Sequence, residues 1–402
     1  MSALRRIPPS IRRHFSSSSS AAAILSPDSP NAVLTSSQKT RSALSLLKSE
    51  TNPGRILDIC RAASLTPEHH LDRIAFSVAV TNLSKANHFS LIREYIDELV
   101  TSRPDLRNER FVSHAIVLYG QANMINDAIE IYKRVDDLGV GRSVRSFNAL
   151  LFACIVSKEF NEMKRVFLDF PRMYGVEPDL LSYNTVIKGF AESGSINSVW
   201  SILAEMDRKG IRPDATTFGN ALVGFYREEK LEDVGKLVNL MKEKYGVKQG
   251  VGVYNVRIQG LCKMRRSEEA MALMDGMMER GIKPNSDTYR NLIHGFCKEE
   301  KYKEAKELFK KMVDRGCQPD SECYFNLIYF LCKGGQFRSA LNYCKESMGK
   351  GWVPNFGTMK SLVMGLAGRN MFEEAKELTA QVKEKFPGKV GLWEEVEAAF
   401  PQ

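Results

Sequence analysis

Small and apolar side chains recur along this chain at helical spacing, in units of about 35 residues from residue 73 onward. The second half of one unit shows the pattern, with Ala305, Leu308 and Met312 three or four residues apart. A Gly closes most units and a Pro follows three residues later, as at Gly281 and Pro284. Gly allows the left-handed residue that ends a helix, and Pro prevents the helix from continuing. Each unit is therefore predicted to be two short helices joined by a tight loop.

The register predicts nine units and a fold class. One pair of helices cannot bury its apolar face alone, so neighbouring pairs must stack into an all-α, right-handed superhelical solenoid with a continuous core and a long concave groove. A degenerate tenth unit or cap is predicted over residues 38–72, and a capping helix over 391–402. The nine units are 73–108, 109–143, 144–179, 180–214, 215–250, 251–285, 286–320, 321–355 and 356 to about 390.

A second Gly recurs inside the predicted first helix of five units. Each such Gly should cost about 1 kcal/mol of helix stability relative to Ala. Its repeated use at one register position predicts that the first helices of neighbouring units approach closely there. These residues are Gly189, Gly224, Gly260, Gly295 and Gly365.

Two of the units carry a family resemblance. Residues 183–190 read Tyr-Asn-Thr-Val-Ile-Lys-Gly-Phe, and their unit ends at 210–214 with Gly-Ile-Arg-Pro-Asp. Residues 254–255 read Tyr-Asn, and their unit ends at 281–285 with Gly-Ile-Lys-Pro-Asn. With these motifs, residues 73 to about 390 resemble the pentatricopeptide repeat family in its pure-repeat class. The rival tetratricopeptide repeat has a 34-residue period and a Trp-x-x-Leu-Gly start that no unit shows.

The resemblance implies a plant organellar RNA-binding protein in which each unit reads one base. In the family, the fifth and the last residue of a unit hydrogen-bond to the Watson–Crick edge of that base. Asn with Asp favours uracil, and Asn with Asn favours cytosine. Carried onto this sequence, the implied base-reading pairs are Asn148 with Asp179 and Asn184 with Asp214 for uracil, and Asn255 with Asn285 for cytosine.

Other units depart from the family pattern. Arg290 stands at a fifth position and is paired in register with Asp320. The second position, which in the family is usually a Val that sandwiches the base, is acidic at Asp287 and Glu322. Because a carboxylate sits badly beside bases and phosphates, base reading along the whole groove is not expected.

The thirteenth position, which in the family can meet phosphate, is basic in five units. Such charges would contact an RNA backbone without regard to sequence. The alternative interpretation is a solvated polar face. The candidate phosphate-binding residues are Lys85, Arg227, Lys263, Lys298 and Lys333.

The first 27 residues have the composition of an import signal. The chain of 402 residues has a formal net charge of +9, which suits a polyanionic partner. Residues 1–15 contain four Arg, and no Asp or Glu precedes residue 28. This pattern predicts a mitochondrial transit peptide over 1–15 or as far as about 27, a disordered linker over 16–37 and a location in the matrix. The alternative is an ordinary disordered basic tail.

No apolar run approaches the roughly 18 residues of a spanning helix, so membrane insertion is not expected.

No catalytic, metal or cofactor site is predicted. Cys262, Cys297 and Cys332 lie 35 residues apart, which is the period of a buried apolar thiol rather than of a ligand set. His294 adds a His-x-x-Cys that lacks the third and fourth ligands of a structural zinc. The Gly-Val-Gly at 250–252 lacks the third Gly of a dinucleotide loop, and neither a Walker sequence nor a deaminase signature occurs. An enzyme with a small-molecule substrate is therefore not expected.

Two functions from different classes fit these observations. The first is a non-catalytic RNA-binding protein of mitochondrial gene expression, which binds a transcript or ribosomal RNA along the concave groove. The second is a structural component of the mitochondrial ribosome, which contacts ribosomal RNA and ribosomal proteins by shape and charge rather than by a base code. The departures from the code favour the second function, whereas the import signal and the repeats fit both.

Overall fold

The structure is a computed structural model that describes residues 21–26, 34–64, 73–102, 107–383, 385 and 390–398. Regular secondary structure over these residues is helical, with no strand, so the predicted all-α class is confirmed. None of the described helices is long and apolar enough to cross a membrane. The predicted transit peptide over 1–15 lies outside the described residues. The helices are α1 (Ala21–Leu25), α2 (Ser36–Leu47), α3 (Pro53–Ser64), α4 (Arg73–Lys85), α5 (Phe89–Ser102), α6 (Glu109–Gln121), α7 (Ile125–Lys133), α8 (Val144–Val156), α9 (Phe160–Tyr174), α10 (Leu180–Ser193), α11 (Ser198–Arg208), α12 (Ala215–Arg227), α13 (Leu231–Glu243), α14 (Val251–Lys263), α15 (Ser267–Glu279), α16 (Ser286–Lys298), α17 (Tyr302–Asp314), α18 (Ser321–Lys333), α19 (Phe337–Gly349), α20 (Phe356–Ala367), α21 (Phe372–Lys383) and α22 (Val390–Ala398).

Helices α4 to α21 form successive pairs of a first and a second helix in the predicted register. Helices α14, α16 and α18, for example, begin at the first residues of three predicted units, 251, 286 and 321. The fourth residue of most first helices is a buried aromatic, as at Tyr254, Tyr289 and Tyr324. The small residue of the second helix is buried as well, as at Ala305 and Ala340. The repeat therefore reflects one core contact made again in every unit.

The chain divides into two compact bodies, residues 1–189 and residues 190–402. In the first body, α4 packs on α6, α6 packs on α8, and each of these first helices packs on its own second helix. In the second body, each first helix from α12 to α18 packs in the same way on the next first helix, and the series ends at α20. Each body therefore has the stacked helix-pair architecture of an α-solenoid, as predicted.

The predicted close approach of first helices at the recurrent Gly is confirmed at Gly224, Gly260 and Gly295. A Cβ on Gly260 would lie 2.3 Å from the ring of Tyr226 in α12. A Cβ on Gly224 would lie 2.9 Å from the backbone Cα of Ala191 in α10. A Cβ on Gly295 would lie 2.7 Å from the Cβ of Cys262 in α14. At Gly189 and Gly365 the prediction is wrong about the nearest neighbour, because the space is filled by Met163 and by the ring of Phe337, each from a second helix. The absence of a side chain at the recurrent Gly therefore makes room for a neighbouring first helix in some units and for a side chain of a second helix in others.

The turn between the two helices of a pair contains a left-handed residue at the fifteenth position of each of the nine units. Two of these residues are Gly194 and Gly335, and the others carry side chains. The full set is Asn87, Asn123, Lys158, Gly194, Glu229, Arg265, Glu300, Gly335 and Asn370. Because a left-handed conformation is unfavourable for residues with a Cβ, four of the units store backbone strain at a Lys, Glu or Arg.

Replacing Glu300 with Gly is expected to raise the free energy of unfolding by about 1 kcal/mol, since Glu300 has φ 61°. The matched control is Gly335→Ala, at the same position of the next unit with φ 70°, which should lower it by a similar amount. Urea unfolding followed by circular dichroism measures both. Equal signs for the two substitutions would contradict the backbone explanation.

The two ends of the chain add further helices. Part of the predicted disordered linker over 16–37 is helical, because α1 lies within it and α2 begins at Ser36. Leu25 of α1 is buried, and α1 packs on α3, so Leu25 joins the core. Helices α2 and α3 form a pair where a degenerate unit or cap is predicted. At the other end, Trp393 of α22 is buried, with its ring 4.9 Å from that of Phe356.

Candidate nucleic-acid interface

The predicted pair Asn148 and Asp179 is joined directly in the first body. Asn148 Nδ2 donates a hydrogen bond of 3.0 Å to Asp179 Oδ1. The hydroxyl of Ser182 completes a triangle, since it lies 2.6 Å from Asn148 Oδ1 and 3.0 Å from Asp179 Oδ1. Asn148 is 7% exposed, whereas Asp179 is exposed. The buried amide is thus fixed in orientation, and the carboxylate faces solvent beside it.

The charge of Asp179 determines which base edges it can meet. Burial raises the pKa of this carboxyl, but the hydrogen bonds from Asn148 and Ser182 outweigh burial and hold the pKa below its ordinary value. Asp179 is therefore ionised at neutral pH, and an ionised carboxylate only accepts hydrogen bonds. It can meet the N3–H of uracil, but it is opposed by the acceptor N3 of cytosine and the acceptor N1 of adenine. The geometry and charge fit the implied uracil preference.

A groove of about 730 Å³ lies over this pair in the first body. Its walls include Arg145 and Leu181, the second residues of two neighbouring units, and Phe152. Leu181 is 58% exposed, and the ammonium of Lys188 lies 5.7 Å from the centre of the Phe152 ring. An exposed apolar surface beside a guanidinium suits an unstacked base, which stacks on aromatic side chains or on Arg planes.

The predicted pair Asn255 and Asn285 repeats the same triangle in the second body. Asn255 Nδ2 donates to Asn285 Oδ1 at 3.0 Å. The hydroxyl of Thr288 lies 2.7 Å from Asn255 Oδ1 and 3.0 Å from Asn285 Oδ1. The difference from the first triangle is the neutral amide of Asn285, which carries donors as well as an acceptor. That amide can meet the acceptor N3 of cytosine.

The third predicted pair is divided between the two bodies, with Asn184 in the first and Asp214 in the second. Asn184 is buried, like Asn148 in the preceding unit. Asp214 Oδ1 accepts from the backbone N–H of Thr217 at 2.8 Å, as the first residue of a capping box on α12. Both residues thus have the local setting of the first pair.

The last residue of a unit is also the N-cap of the next first helix, a role that the base-reading prediction missed. Such caps accept a hydrogen bond from the backbone N–H three residues on, and removing one typically costs about 1 kcal/mol. The sequence contained a signal for these caps, because Ser or Thr recurs three residues after the cap, where a capping box has its second residue. The caps with this bond are Asn108, Ser143, Asp179, Asp214, Asn285, Asp320 and Asn355.

Arg290, which departs from the code, is surrounded by carboxylates. Its guanidinium pairs with Asp287, with Asp320 at 3.2 Å and with Glu322 at 2.8 Å. The acidic residues at the second positions of two units are thus both held by the fifth-position Arg. A base that approached this unit would have to displace one ion pair or more, which disfavours base reading there.

The predicted phosphate-binding residues fall at the carboxyl ends of first helices. Lys85, Lys263, Lys298 and Lys333 are exposed. Lys263 Nζ lies 3.4 Å from Gln259 Oε1. Arg227 differs, since its guanidinium donates to the backbone carbonyl of Glu192 at 2.8 Å and so caps α10. A groove of about 460 Å³ between α12 and α14 brings Arg227 and Lys263 to one surface.

His294 shows that two of these lysines share one electrostatic environment. Burial lowers the pKa of His294, Lys298 and Lys263 lower it further, and Glu322 opposes them. His294 is therefore neutral at pH 7. Since the ninth and thirteenth residues of a helix lie on one face, His294 and Lys298 point the same way. We call the face of the first helices that carries the second, fifth, ninth and thirteenth residues of each unit the reading face.

Apolar side chains stand at the ninth position of the reading face in several units of each body, a feature that the sequence analysis missed. Tyr329 is 48% exposed, and its ring centre is 5.1 Å from that of Phe330. The ring of Phe330 in turn lies 5.3 Å from that of His294. Phe152, Val223 and Met364 are large exposed apolar residues at the same register position. Aromatic and apolar platforms beside cations are the combination that binds single strands without sequence preference.

The thiols behave as the repeat period predicts. Cys262, Cys297 and Cys332 are buried, and burial raises the pKa of each to about 12. Within the described residues, no group of three or more His, Cys, Asp or Glu side chains could hold a metal ion.

Comparison with known proteins agrees with the repeat. A model described as PPR repeat family matches residues 178–227, 249–298 and 288–333, and a model described as pentatricopeptide repeat domain matches 130–193. A mitochondrial pentatricopeptide repeat-containing protein of Arabidopsis thaliana is 52% identical over 369 residues, which are 92% of this chain and 91% of that protein. The small ribosomal subunit protein mL103 (rPPR7) of the same plant is 33% identical over 60% of this chain and 58% of its own length.

The fold is likewise similar to a solved structure. The pentatricopeptide repeat protein PPR10 from maize superposes with a TM-score of 0.51 at 20% identity, over 87% of this chain and 49% of that one. At this identity the likeness concerns the fold, and the helix-pair solenoid is the shared feature.

Proposed function

Because this chain belongs to the pentatricopeptide repeat family, we propose that it is a non-catalytic RNA-binding protein of mitochondrial gene expression. The observation that carries the proposal is the hydrogen-bonded Asn148 and Asp179 pair beneath a groove with an exposed apolar wall. The same triangle at Asn255 and Asn285 supports it in the second body. In this proposal, bases meet these pairs, and the thirteenth-position lysines of the reading face contact phosphates.

Replacing Lys263, Lys298 and Lys333 together with Ala is expected to weaken binding of all single-stranded RNAs alike. Each lost phosphate contact should reduce the slope of log K against log salt by about 0.7, so the slope should fall by about 2. Binding at several salt concentrations, on U-rich and A-rich oligonucleotides, measures this. The control variant removes three exposed lysines of α17, Lys303, Lys310 and Lys311, with the same change of charge. An identical slope change in both variants would contradict a specific phosphate contact. The thirteenth-position lysines would then be a solvated polar face.

A role as a structural component of the mitochondrial ribosome is the second candidate. The ion pairs of Arg290 favour it, because a unit in which base reading is disfavoured can still contribute to a contact made by shape and charge. The relative named as a small ribosomal subunit protein adds support. Co-sedimentation of the native protein with ribosomal subunits distinguishes the candidates. Recovery in subunit fractions at one copy per subunit would favour the ribosomal role, and recovery only in lighter fractions would exclude it.

We also propose that residues 1–15 direct the protein to the mitochondrial matrix, where both candidate functions would operate. The support is the Arg-rich, acid-free start and the mitochondrial relative. Sequencing the amino terminus of the protein purified from matrix tests the proposal. An amino terminus that still contains Arg5 would contradict cleavage of this segment.

A further inference from the structure

A small cleft of about 250 Å³ opens in the second body, away from the reading face. It is bounded by the end of α13, by the loop 244–250 and by the end of α15. Helix α14 contributes Tyr254 to the cleft, whereas its reading-face residues Asn255 and Lys263 do not line it. The cleft is therefore a surface separate from the base-reading pairs.

The loop that borders the cleft is one residue longer than the corresponding loop of the next unit. The loop from α13 to α14 has seven residues, 244–250, whereas the loop from α15 to α16 has six, 280–285. Gly246 adopts φ 62°, the left-handed conformation that also ends the preceding and following units at Gly210 and Gly281. The loop is anchored by Tyr245, whose side chain is buried and whose hydroxyl lies 2.9 Å from an Asp207 oxygen. The walls are thus held in place by the fold.

Three cations line the cleft, and none of its lining residues is acidic. Among the described residues, Lys242 and Lys248 are exposed and have no carboxylate within ion-pair distance. Arg280 donates to the Tyr254 hydroxyl at 3.0 Å and has no carboxylate partner among those residues either. By contrast, the adjacent Lys244 pairs with Asp207 at 2.5 Å. The cations of the cleft lining therefore lack the ion-paired carboxylate that the adjacent Lys244 has.

A fourth cation stands at the rim. The Arg212 guanidinium lies 3.7 Å from the place that a Cβ on Gly246 would occupy, and it donates to the Tyr245 carbonyl at 2.5 Å. Tyr254 accepts the bond from Arg280, so its own hydroxyl proton is directed elsewhere. An anion in the cleft would receive donors from Lys, Arg and Tyr, which is the chemistry of a phosphate site.

We propose that this cleft binds a backbone phosphate of folded RNA, as a second contact outside the reading face. The inference rests on the proposed RNA-binding function. RNA is favoured over an acidic polypeptide because the cleft has room for a phosphate group and offers mainly charged donors, with only Val247 and Ile282 as apolar lining. Helical RNA presents its phosphates on the outside, so a stem can reach this edge without entering the groove used by a single strand.

The test compares Lys242→Glu/Lys248→Glu with Lys303→Glu/Lys310→Glu, two exposed lysines of α17, so that the change of net charge is equal. The probes are an RNA hairpin with a single-stranded U-rich tail and the tail alone. The cleft variant should bind the hairpin at least tenfold more weakly than the unmodified protein, with a salt slope lower by about 1 to 2. Binding of the tail alone should change less than twofold, and the control variant should keep both affinities.

Several outcomes would overturn the inference. Equal weakening by the cleft and control variants would show a general effect of charge, and an unchanged hairpin affinity would show that no phosphate occupies the cleft. Loss of binding to polyglutamate, with RNA binding intact, would assign the cleft to an acidic protein. If the unmodified protein binds the tail alone, and binds the tailed hairpin no more tightly than the tail, the cleft proposal alone fails. If it binds neither RNA, the proposed function itself fails. Circular dichroism and thermal melting of each variant check that it remains folded.

Discussion

Asp179→Asn is expected to change the base preferred at its unit from uracil to cytosine, with a change of about 1–3 kcal/mol in the relative binding free energy of the two bases. The carboxylate of Asp179 can accept from uracil N3–H but repels the acceptor N3 of cytosine. An amide at this position offers the missing donor, as Asn285 does in the second body. Since Asn caps a helix as well as Asp does, α10 should keep its amino-terminal cap.

Oligonucleotides that differ only by U or C at one position measure this change. The control is Asp320→Asn, because Arg290 already engages Asp320 and this ion pair disfavours base reading at its unit. That control should leave the U-to-C preference unchanged. If Asp179→Asn leaves the relative affinity for the two oligonucleotides unchanged, then Asp179 serves as a helix cap and does not read the base, and the uracil assignment is wrong.

Gly120→Ala is expected to lower the free energy of unfolding by about 1–3 kcal/mol, although Ala is the better helix former. A Cβ on Gly120 of α6 would lie 2.6 Å from Cα and 2.8 Å from the carbonyl oxygen of Ala153 in α8. These are backbone atoms, so the two helices would have to move apart. The loss of close packing should therefore exceed the gain in helix propensity.

The matched control is Gly276→Ala in α15, where nothing lies within 4 Å of the added Cβ. This change should raise the free energy of unfolding by up to about 1 kcal/mol. Urea unfolding of both variants measures the difference. Stabilisation by both substitutions would contradict the close approach of α6 and α8.

The sequence by itself determined the period and the helix pairs, and the family resemblance implied the base-reading pairs. The period and the helix pairs depend on local signals: apolar spacing of three and four residues, a Gly that ends a helix and a Pro that prevents its continuation. Gly281 and Gly316 are left-handed as those signals require. Once the register is known, the fifth and last residues of a unit recur at fixed places, so Asn148 and Asp179 could be paired without coordinates.

Only the tertiary structure decided which side chains and backbones meet across neighbouring helices. Gly120 and Gly276 both look like weak points of a helix in the sequence, yet one faces the backbone of Ala153 and the other faces open space. In the same way, the hydrogen bond from Arg227 to a backbone carbonyl depends on a neighbouring unit. The cluster of cations around Gly246 also depends on residues from neighbouring units. Periodicity specifies the face of a helix on which a residue lies, but the reach of a long side chain and the distance between two backbones are set by packing.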